Sequence, residues 1–281
     1  MTTATGAGPA RLRGPSAIGE DLRHFSSLTF TLAATDFKLR FFGSVLGYLW
    51  SLVRPLLLFT VLYVVFTQII RFGAGVEHYP VYLLASLVLF TYFSETTSRG
   101  VTSLVDRENL LRKIRFPRLA IPLAVSLHAL FNLALNLVVV FVFVLASGIE
   151  PRLEWLELPL LVAFLVTLST GVTMLISALY VRFRDVEPIW EVALQLLFYG
   201  TPVLYVITTV PESVRQLAAM NPLAVVLTQM RHAVIDPDAP TAAAAVGGWE
   251  WLAVPIAFVA AVFLIGFWVF ARETPRIAEN L

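Results

Sequence analysis

The residue types that most often carry out chemistry are sparse in this chain. A P-loop ends in Gly-Lys-Ser/Thr, because the lysine must reach the phosphates and the hydroxyl must reach Mg²⁺. Lys38 precedes leucine and Lys113 precedes isoleucine, so neither lysine fits this motif. The 4 histidines are too scattered for two of them to face one metal ion from one helix. We therefore predict no catalytic residue, no metal site and no cofactor bound by the chain itself.

Asp236 and Asp238 flank Pro237, a spacing that some sugar-nucleotide enzymes use to hold a divalent ion. An isolated pair of this kind in a proline-containing loop usually forms a turn, which is our interpretation. The alternative is an intramembrane glycosyltransferase, which would need both carboxylates. Replacing both aspartates by alanine would abolish the function of such an enzyme. If the aspartates only form a turn, we expect the same replacement to have mild effects.

Glu95 and Arg99 are ionisable residues inside an apolar stretch, where a charge costs at least about 2.5 kcal/mol on insertion scales. Their spacing of four residues places them on one helix face, where they can neutralise each other. Neighbouring hydroxyl residues widen this polar face: Ser94, Thr96, Thr97 and Ser98. We predict that the face looks into a helix bundle or a transport pathway. A purely structural ion pair is the alternative.

The elements that position these residues must be membrane helices. The chain of 281 residues is 58% hydrophobic and 14% charged, with a mean hydropathy of +0.80, against roughly 45–50% and 25% in soluble domains. Long continuous apolar runs favour helices over barrel strands. We predict six spans, at about 43–70, 80–104, 119–147, 158–181, 189–207 and 250–271. The net charge of +1 argues against nucleic acid as a partner.

Basic residues concentrate in the segments that lie on one side of the predicted membrane, which is the positive-inside pattern. This pattern places both termini in the cytoplasm. The arginines on the outer side are Arg71, Arg152, Arg215 and Arg231. Aromatic residues near the outer ends of the spans are predicted to lie at the membrane interface: Tyr79, Tyr82, Trp155, Trp249 and Trp251.

Residues 20–42 are predicted to form an amphipathic helix that follows a flexible tail, residues 1–19. Its apolar residues are spaced by three, three and four positions: Leu22, Phe25, Leu28 and Leu32. Lys38 and Arg40 follow them. This pattern is typical of a helix that lies along the inner membrane surface among lipids. A solvated tail helix is the alternative.

The outer segment 208–248 is too long to be a simple turn. Pro211 opens one short apolar stretch and Asn221-Pro222 opens another that runs to about residue 235, each with a helix-start signal. Neither stretch is long enough to span a bilayer. We predict a re-entrant helical hairpin over 211–235, which requires burial against protein or a polar cavity. Two helices lying on the surface are the alternative.

Several segments resemble, in order, the permease subunits of bacterial ABC exporters for polysaccharides and teichoic acids. The first is Asp36–Pro55, with the sequence D-F-K-L-R-F-F-G-S-V-L-G-Y-L-W-S-L-V-R-P, and the second is Asn109–Arg118, with N-L-L-R-K-I-R-F-P-R. The others are Phe183-Arg184-Asp185, Thr201–Tyr205 and Asn221-Pro222-Leu223 with Arg231. The resemblance covers roughly residues 20–275.

The resemblance implies an all-α integral membrane domain over residues 43–281 in the bacterial cytoplasmic membrane. It implies a homodimer with two copies of a separate P-loop ATPase, which binds ATP and Mg²⁺, and export of a glycan on an undecaprenyl-type lipid. Exporters of O-antigen, wall teichoic acid and galactan all fit this description. The alternative within the superfamily is a drug or lipid efflux permease.

The resemblance also implies roles for individual segments. The loop 105–118 would couple to the ATPase through Asp106, Arg107, Glu108, Asn109, Arg112, Lys113, Phe116 and Pro117. The surface helix would dock beside it. The hairpin would close the pore on the outer side as a gate, with Pro211, Asn221, Pro222 and Arg231.

Aromatic side chains are candidates for the pore lining, because sugar rings stack on aromatic faces. The candidates on the first and fifth spans are Phe59, Tyr63, Phe66, Phe198, Tyr199 and Tyr205. An aromatic stripe at helical spacing that faces lipid or packs in the core is the alternative.

Overall fold

A computed structural model describes residues 22–41, 47, 49–71, 75–108 and 117–280 of the chain. The predicted tail and residues 109–116 of the predicted coupling loop lie outside these ranges. Within them, the regular structure is helical and contains no strand. The helices are α1 (Leu22–Phe41), α2 (Leu49–Tyr63), α3 (Tyr79–Thr102), α4 (Ala120–Ala146), α5 (Glu157–Arg182), α6 (Val186–Gly200), α7 (Glu212–Ala219), α8 (Pro222–Met230), α9 (Ala242–Val246) and α10 (Trp249–Asn280).

Four stretches of the described chain are long and apolar enough to cross a membrane. They are Leu49–Ile69, Ala120–Ala146, Leu153–Arg182 and Trp249–Glu273. The first combines α2 with a π-helical turn, Val64–Ile69. Helix α3 has 24 residues and reaches about 36 Å at 1.5 Å per residue, but the polar residues near its end lower its hydropathy.

The fifth predicted span, 189–207, is not one continuous helix. Helix α6 has 15 residues and reaches only about 22 Å. It ends at Gly200 because Thr201 precedes Pro202, and a residue before proline is pushed out of the helical region. The dihedral angles of Thr201, φ −101° and ψ 146°, are extended.

Helix α3 lies at the centre of the core. Residues 81–90 are buried without interruption, and the helix packs against α2, α4, α5 and α6. Helices α2 and α6 differ from it, because α2 buries only Phe59 and α6 buries only Leu194, and their other apolar side chains are half-buried or exposed. These include Leu57, Leu58, Val61, Ile189, Val192 and Leu196.

Helices α5 and α10 pack with their backbones in direct contact. A Cβ added at Gly266 would lie 2.2 Å from the Gly171 carbonyl oxygen, and one added at Gly171 would lie 2.7 Å from the Cα of Phe263. Glycine is therefore required at both positions, since any side chain would push the helices apart.

Helix α1 follows the predicted helix 20–42 closely. It packs against α4, where the ring of Phe131 meets Phe30 at 6.1 Å and Phe37 at 5.6 Å between centroids. Phe25 and Leu28 pack against an apolar cluster that includes Leu104. Lys38 is exposed, and the side chains of Leu22 and Arg40 lie outside those described.

The segment 211–235 contains two short helices, as the sequence predicts. Pro211 occupies the N-cap position of α7. Asn221 caps α8, because its side-chain oxygen accepts a hydrogen bond from the backbone N–H of Leu223 at 3.0 Å. A π-helical turn, Arg231–Ile235, follows α8.

Candidate functional site

The polar face predicted on α3 is present and extends onto α4. Arg99 Nε lies 3.3 Å from Glu95 Oε1. The side-chain amide of Asn132 lies 3.2 Å from each Glu95 carboxylate oxygen, and an Arg99 guanidinium nitrogen lies 3.2 Å from His128 Nε2. His128 and Asn132 are buried, whereas Arg99 is exposed. The result is a charge-compensated polar cluster with one cationic end at the surface of the chain.

Sequence reasoning identified Glu95 and Arg99 in this cluster but missed His128 and Asn132. Both lie on α4, 29 to 37 residues away along the chain. A weak signal is available, because Asn132 lies four residues after His128 and four before Asn136 in an otherwise apolar helix. Asn136 donates to the Asn132 carbonyl at 2.8 Å.

The chain between α6 and α7 contains buried backbone that belongs to no helix. Residues 201–206 are non-helical, and all of them except Tyr205 are fully buried. The hydroxyl of Tyr79 donates to the Leu204 carbonyl at 2.7 Å. The hydroxyl of Tyr82 contacts the Pro202 carbonyl and lies 3.1 Å from the Tyr205 carbonyl oxygen. We call residues 201–206 the unwound link.

Tyr79 and Tyr82 do not present their rings at the surface of the chain. Each residue is 1% exposed, because its hydroxyl bonds to carbonyl groups of the unwound link. Trp249 and Trp251 are exposed, and Trp155 packs on Phe141, with ring centroids 5.2 Å apart. The position of these aromatic residues at the membrane interface stays a prediction.

The hairpin is tied to the unwound link and to its own buried ion pair. The side-chain amide of Asn221 donates to Thr201 Oγ1 at 2.8 Å. Arg231 Nη2 donates to Asp236 Oδ2 at 2.7 Å, and the Arg231 guanidinium carbon lies 5.8 Å from the ring centroid of Tyr82. Pro222 is buried and Pro211 is exposed.

This geometry corrects the interpretation of Asp236 as a simple turn residue. Asp236 is 6% exposed and Arg231 is 9% exposed, so the pair is internal. Asp236 also accepts a hydrogen bond from the backbone N–H of Asp238 at 3.1 Å, which is the predicted turn. Because the carboxylate already has partners, we now expect replacement of Asp236 by alanine to destabilise the protein.

The aromatic candidates occupy two different surroundings. The rings of Phe59 and Tyr63 stack at 5.8 Å between centroids, and Phe66 is partly buried against the core. Phe198 lies edge-on between Phe90 at 5.1 Å and Tyr199 at 5.3 Å. Tyr199 is exposed, and the hydroxyl of Tyr205 donates to its carbonyl at 3.3 Å.

The described part of the predicted coupling loop is compact. Asp106 accepts a hydrogen bond from Thr102 Oγ1 at 2.7 Å, Arg107 pairs with Asp36 on α1, and the backbone N–H of Glu108 donates to the Val105 carbonyl. Asn109, Arg112, Lys113 and Phe116 lie outside the described residues.

The far end of the coupling loop contains Arg118, the last residue of the second segment that carries the resemblance. Arg118, next to the partly buried Pro117, is 7% exposed. Burial lowers the pKa of its guanidinium, because desolvation disfavours the charged form. Its Nη1 has no hydrogen-bond partner within the described part of the chain.

Comparison with known proteins agrees with this architecture. The family model of the ABC-2 type transporter matches residues 27–235. Relatives named O-antigen export system permease protein RfbA match nearly the whole chain. The one from Myxococcus xanthus is 29% identical over 93% of this chain and 98% of its own length, and one from Klebsiella pneumoniae is 27% identical over 93% and 97%.

A more distant relative is the polysialic acid transport protein KpsM from Escherichia coli. It is 23% identical over 71% of this chain and 78% of its own length. Because the family model covers well over half of the sequence, the chain belongs to the ABC-2 type transporter family.

Proposed function

We propose that this protein is the membrane-spanning subunit of an ATP-driven exporter that moves a lipid-linked polysaccharide across the bacterial cytoplasmic membrane. The observation that carries the proposal is the similarity to O-antigen export permeases over 93% of this chain and nearly all of their length. In this proposal the glycan travels on an undecaprenyl-type lipid. ATP and Mg²⁺ are bound by a separate ATPase, and this chain is not itself an enzyme.

We further propose six membrane crossings with both termini in the cytoplasm. Four come from the long apolar helices, one from α3, and one from α6 together with the unwound link. The burial of α8 and of the π turn 231–235 supports a re-entrant second half of the hairpin, since a segment that does not span must be enclosed by protein. Helix α7 buries only Ala219 and forms the outer half.

The functional unit is proposed to be a homodimer carrying two ATPase subunits. Helices α2 and α6 each bury one residue and leave their other apolar side chains half-buried or exposed, whereas residues 81–90 of α3 are all buried. Faces of this kind suit contact with a second copy of the chain or with lipid. The coupling loop and α1 together form the proposed docking site for the ATPase.

The proposed pore combines polar and aromatic groups. Glu95 and Arg99 present a polar edge from the end of α3, and Tyr199 and Tyr205 present aromatic surface near the hairpin. Because Glu95 is paired with the charge of Arg99 and accepts a hydrogen bond from Asn132, this edge binds hydroxyl groups weakly rather than trapping ions. Weak binding along the path allows a sugar polymer to keep moving.

The experiment that tests the proposal is reconstitution of the chain with and without the ATPase encoded beside it. We expect no ATP hydrolysis by the chain alone and vanadate-sensitive hydrolysis with the partner. Depleting the chain in cells is expected to make lipid-linked glycan accumulate on the cytoplasmic side. Accumulation of a drug or an ordinary lipid instead would favour an efflux permease, and hydrolysis by the lone chain would contradict the proposal.

A further inference from the structure

Asp36 and Arg107 join two segments that are distant in sequence. Asp36 lies on α1, and Arg107 lies in the turns that directly follow α3. Arg107 Nη2 donates to Asp36 Oδ2 across a separation of 71 residues. Both side chains are partly exposed. The pair therefore links the surface helix to the start of the coupling loop from outside the apolar core.

The loop side of this pair is fixed to α3. We call residues 103–108 the coupling segment. Thr102 Oγ1 donates to Asp106 Oδ2 at 2.7 Å, and the Asp106 backbone N–H donates to the Thr102 carbonyl at 3.0 Å. Ser103 Oγ donates to the Gly100 carbonyl at 2.8 Å. These hydrogen bonds hold Arg107 in a defined position relative to the end of α3.

The same two elements also share an apolar cluster. Leu104 is 0% exposed and lies in a cluster with the first residues of α4. Phe25, Leu28 and Leu32 of α1 pack against this cluster, as does Val105 of the coupling segment. Apolar contact is non-directional, so it holds the surfaces together without fixing how they are aligned. A charge-assisted hydrogen bond is directional and sets that alignment.

A partly exposed ion pair contributes little to folding stability. The membrane domain is therefore expected to fold without it, and an effect of the pair on alignment can be measured separately from an effect on stability. The buried ion pair Arg231–Asp236 differs in this respect, because its loss is expected to destabilise the fold.

We propose that Asp36 and Arg107 are positioning residues that fasten α1 to the coupling segment, so that the two move as one body when the ATPase closes. Helix α2, which begins at Leu49, is the next helix along the chain and buries only Phe59, so α2 is the spanning helix that we expect to follow a displacement of this body. The inference rests on the proposed function and adds to it the route by which motion leaves the coupling segment.

Charge exchange tests the pair in the complete complex. Asp36→Asn and Arg107→Gln are each expected to lower the glycan transported per ATP hydrolysed by about fivefold, with unchanged folded protein and unchanged ATPase binding. The exchange Asp36→Arg with Arg107→Asp is expected to restore at least about half of the wild-type ratio. Glu150→Gln removes an exposed acidic group that belongs to none of the proposed sites and serves as the control.

A covalent link tests whether the two segments move together. The chain contains no cysteine, so Asp36→Cys with Arg107→Cys can be joined by a short bismaleimide without background. We expect the link to raise the transport per ATP of the double-cysteine variant, and single-cysteine variants treated in the same way to be unchanged.

Loss of turnover on cross-linking would show that the segments must separate, and would overturn the inference. Single variants with the wild-type ratio, or a charge exchange no better than the single variants, would also overturn it. If the wild-type complex shows no vanadate-sensitive hydrolysis, the proposed function fails and this inference fails with it.

Discussion

Arg231 and Asp236 form an ion pair of 2.7 Å at the end of the hairpin. The two residues are only five positions apart, and both are almost fully buried. The backbone N–H of Asp236 also donates to the Arg231 carbonyl at 2.8 Å, which closes the π-helical turn. The pair thus fixes the point at which the hairpin ends.

Replacing Asp236 by alanine is expected to destabilise the protein by about 3–5 kcal/mol, because Arg231 would keep a buried charge without its partner. Thermal unfolding in detergent measures this loss of stability. Asp238→Ala is the control, since Asp238 is exposed and its loss is expected to change little. Equal effects of the two substitutions would contradict the structural role of Asp236.

Replacing Tyr82 by phenylalanine is expected to cost about 1–3 kcal/mol, because carbonyl groups of the unwound link would lose their donor in a buried site. Tyr79→Phe acts on the Leu204 carbonyl in the same way. The exposed Tyr199 provides the control substitution Tyr199→Phe. The melting temperatures of the three variants are compared. Equal melting temperatures for the buried and the exposed positions would argue against this role.

Replacing Gly266 by alanine is expected to destabilise the packing of α5 on α10 by about 1–3 kcal/mol, as overpacked cores usually show. Gly200→Ala is a matched control, because a Cβ there meets nothing within 4 Å. Protease resistance of the membrane-embedded protein reports the difference. Equal resistance of the two variants would mean that the helices separate at little cost.

Replacing Glu95 by leucine is expected to lower both the folded yield and transport, since Arg99 and Asn132 lose a shared partner. Glu95→Gln keeps an acceptor for Asn132 and is expected to be milder in yield. Size-exclusion profiles and transport rates are measured for both variants. Identical yields would indicate that the carboxylate does not hold α3 to α4.

The sequence predicted the long helices well, because continuous apolar runs determine them locally. The predicted span 119–147 corresponds to α4, and 158–181 corresponds to α5. The helix 20–42 was also found within two residues at each end. The end of α6 was missed, although Gly200 and Pro202 are local signals that point to it.

The contacts that organise the candidate site could not be predicted in this way. Tyr79 bonds to a carbonyl 125 residues further along the chain, and Asp36 bonds to Arg107 across 71 residues. Such partners depend on how helices pack, which periodicity does not specify. Glu95 and Arg99 were predictable because their pairing is local to one helix turn.

The unwound link depends on a helix that is synthesised before it. A buried carbonyl without a donor costs several kcal/mol, so residues 201–206 rely on the hydroxyls of Tyr79 and Tyr82. Those tyrosines are made more than a hundred residues earlier during synthesis. We therefore expect the unwound link to reach its final conformation only after α3 has formed, with α3 as its template.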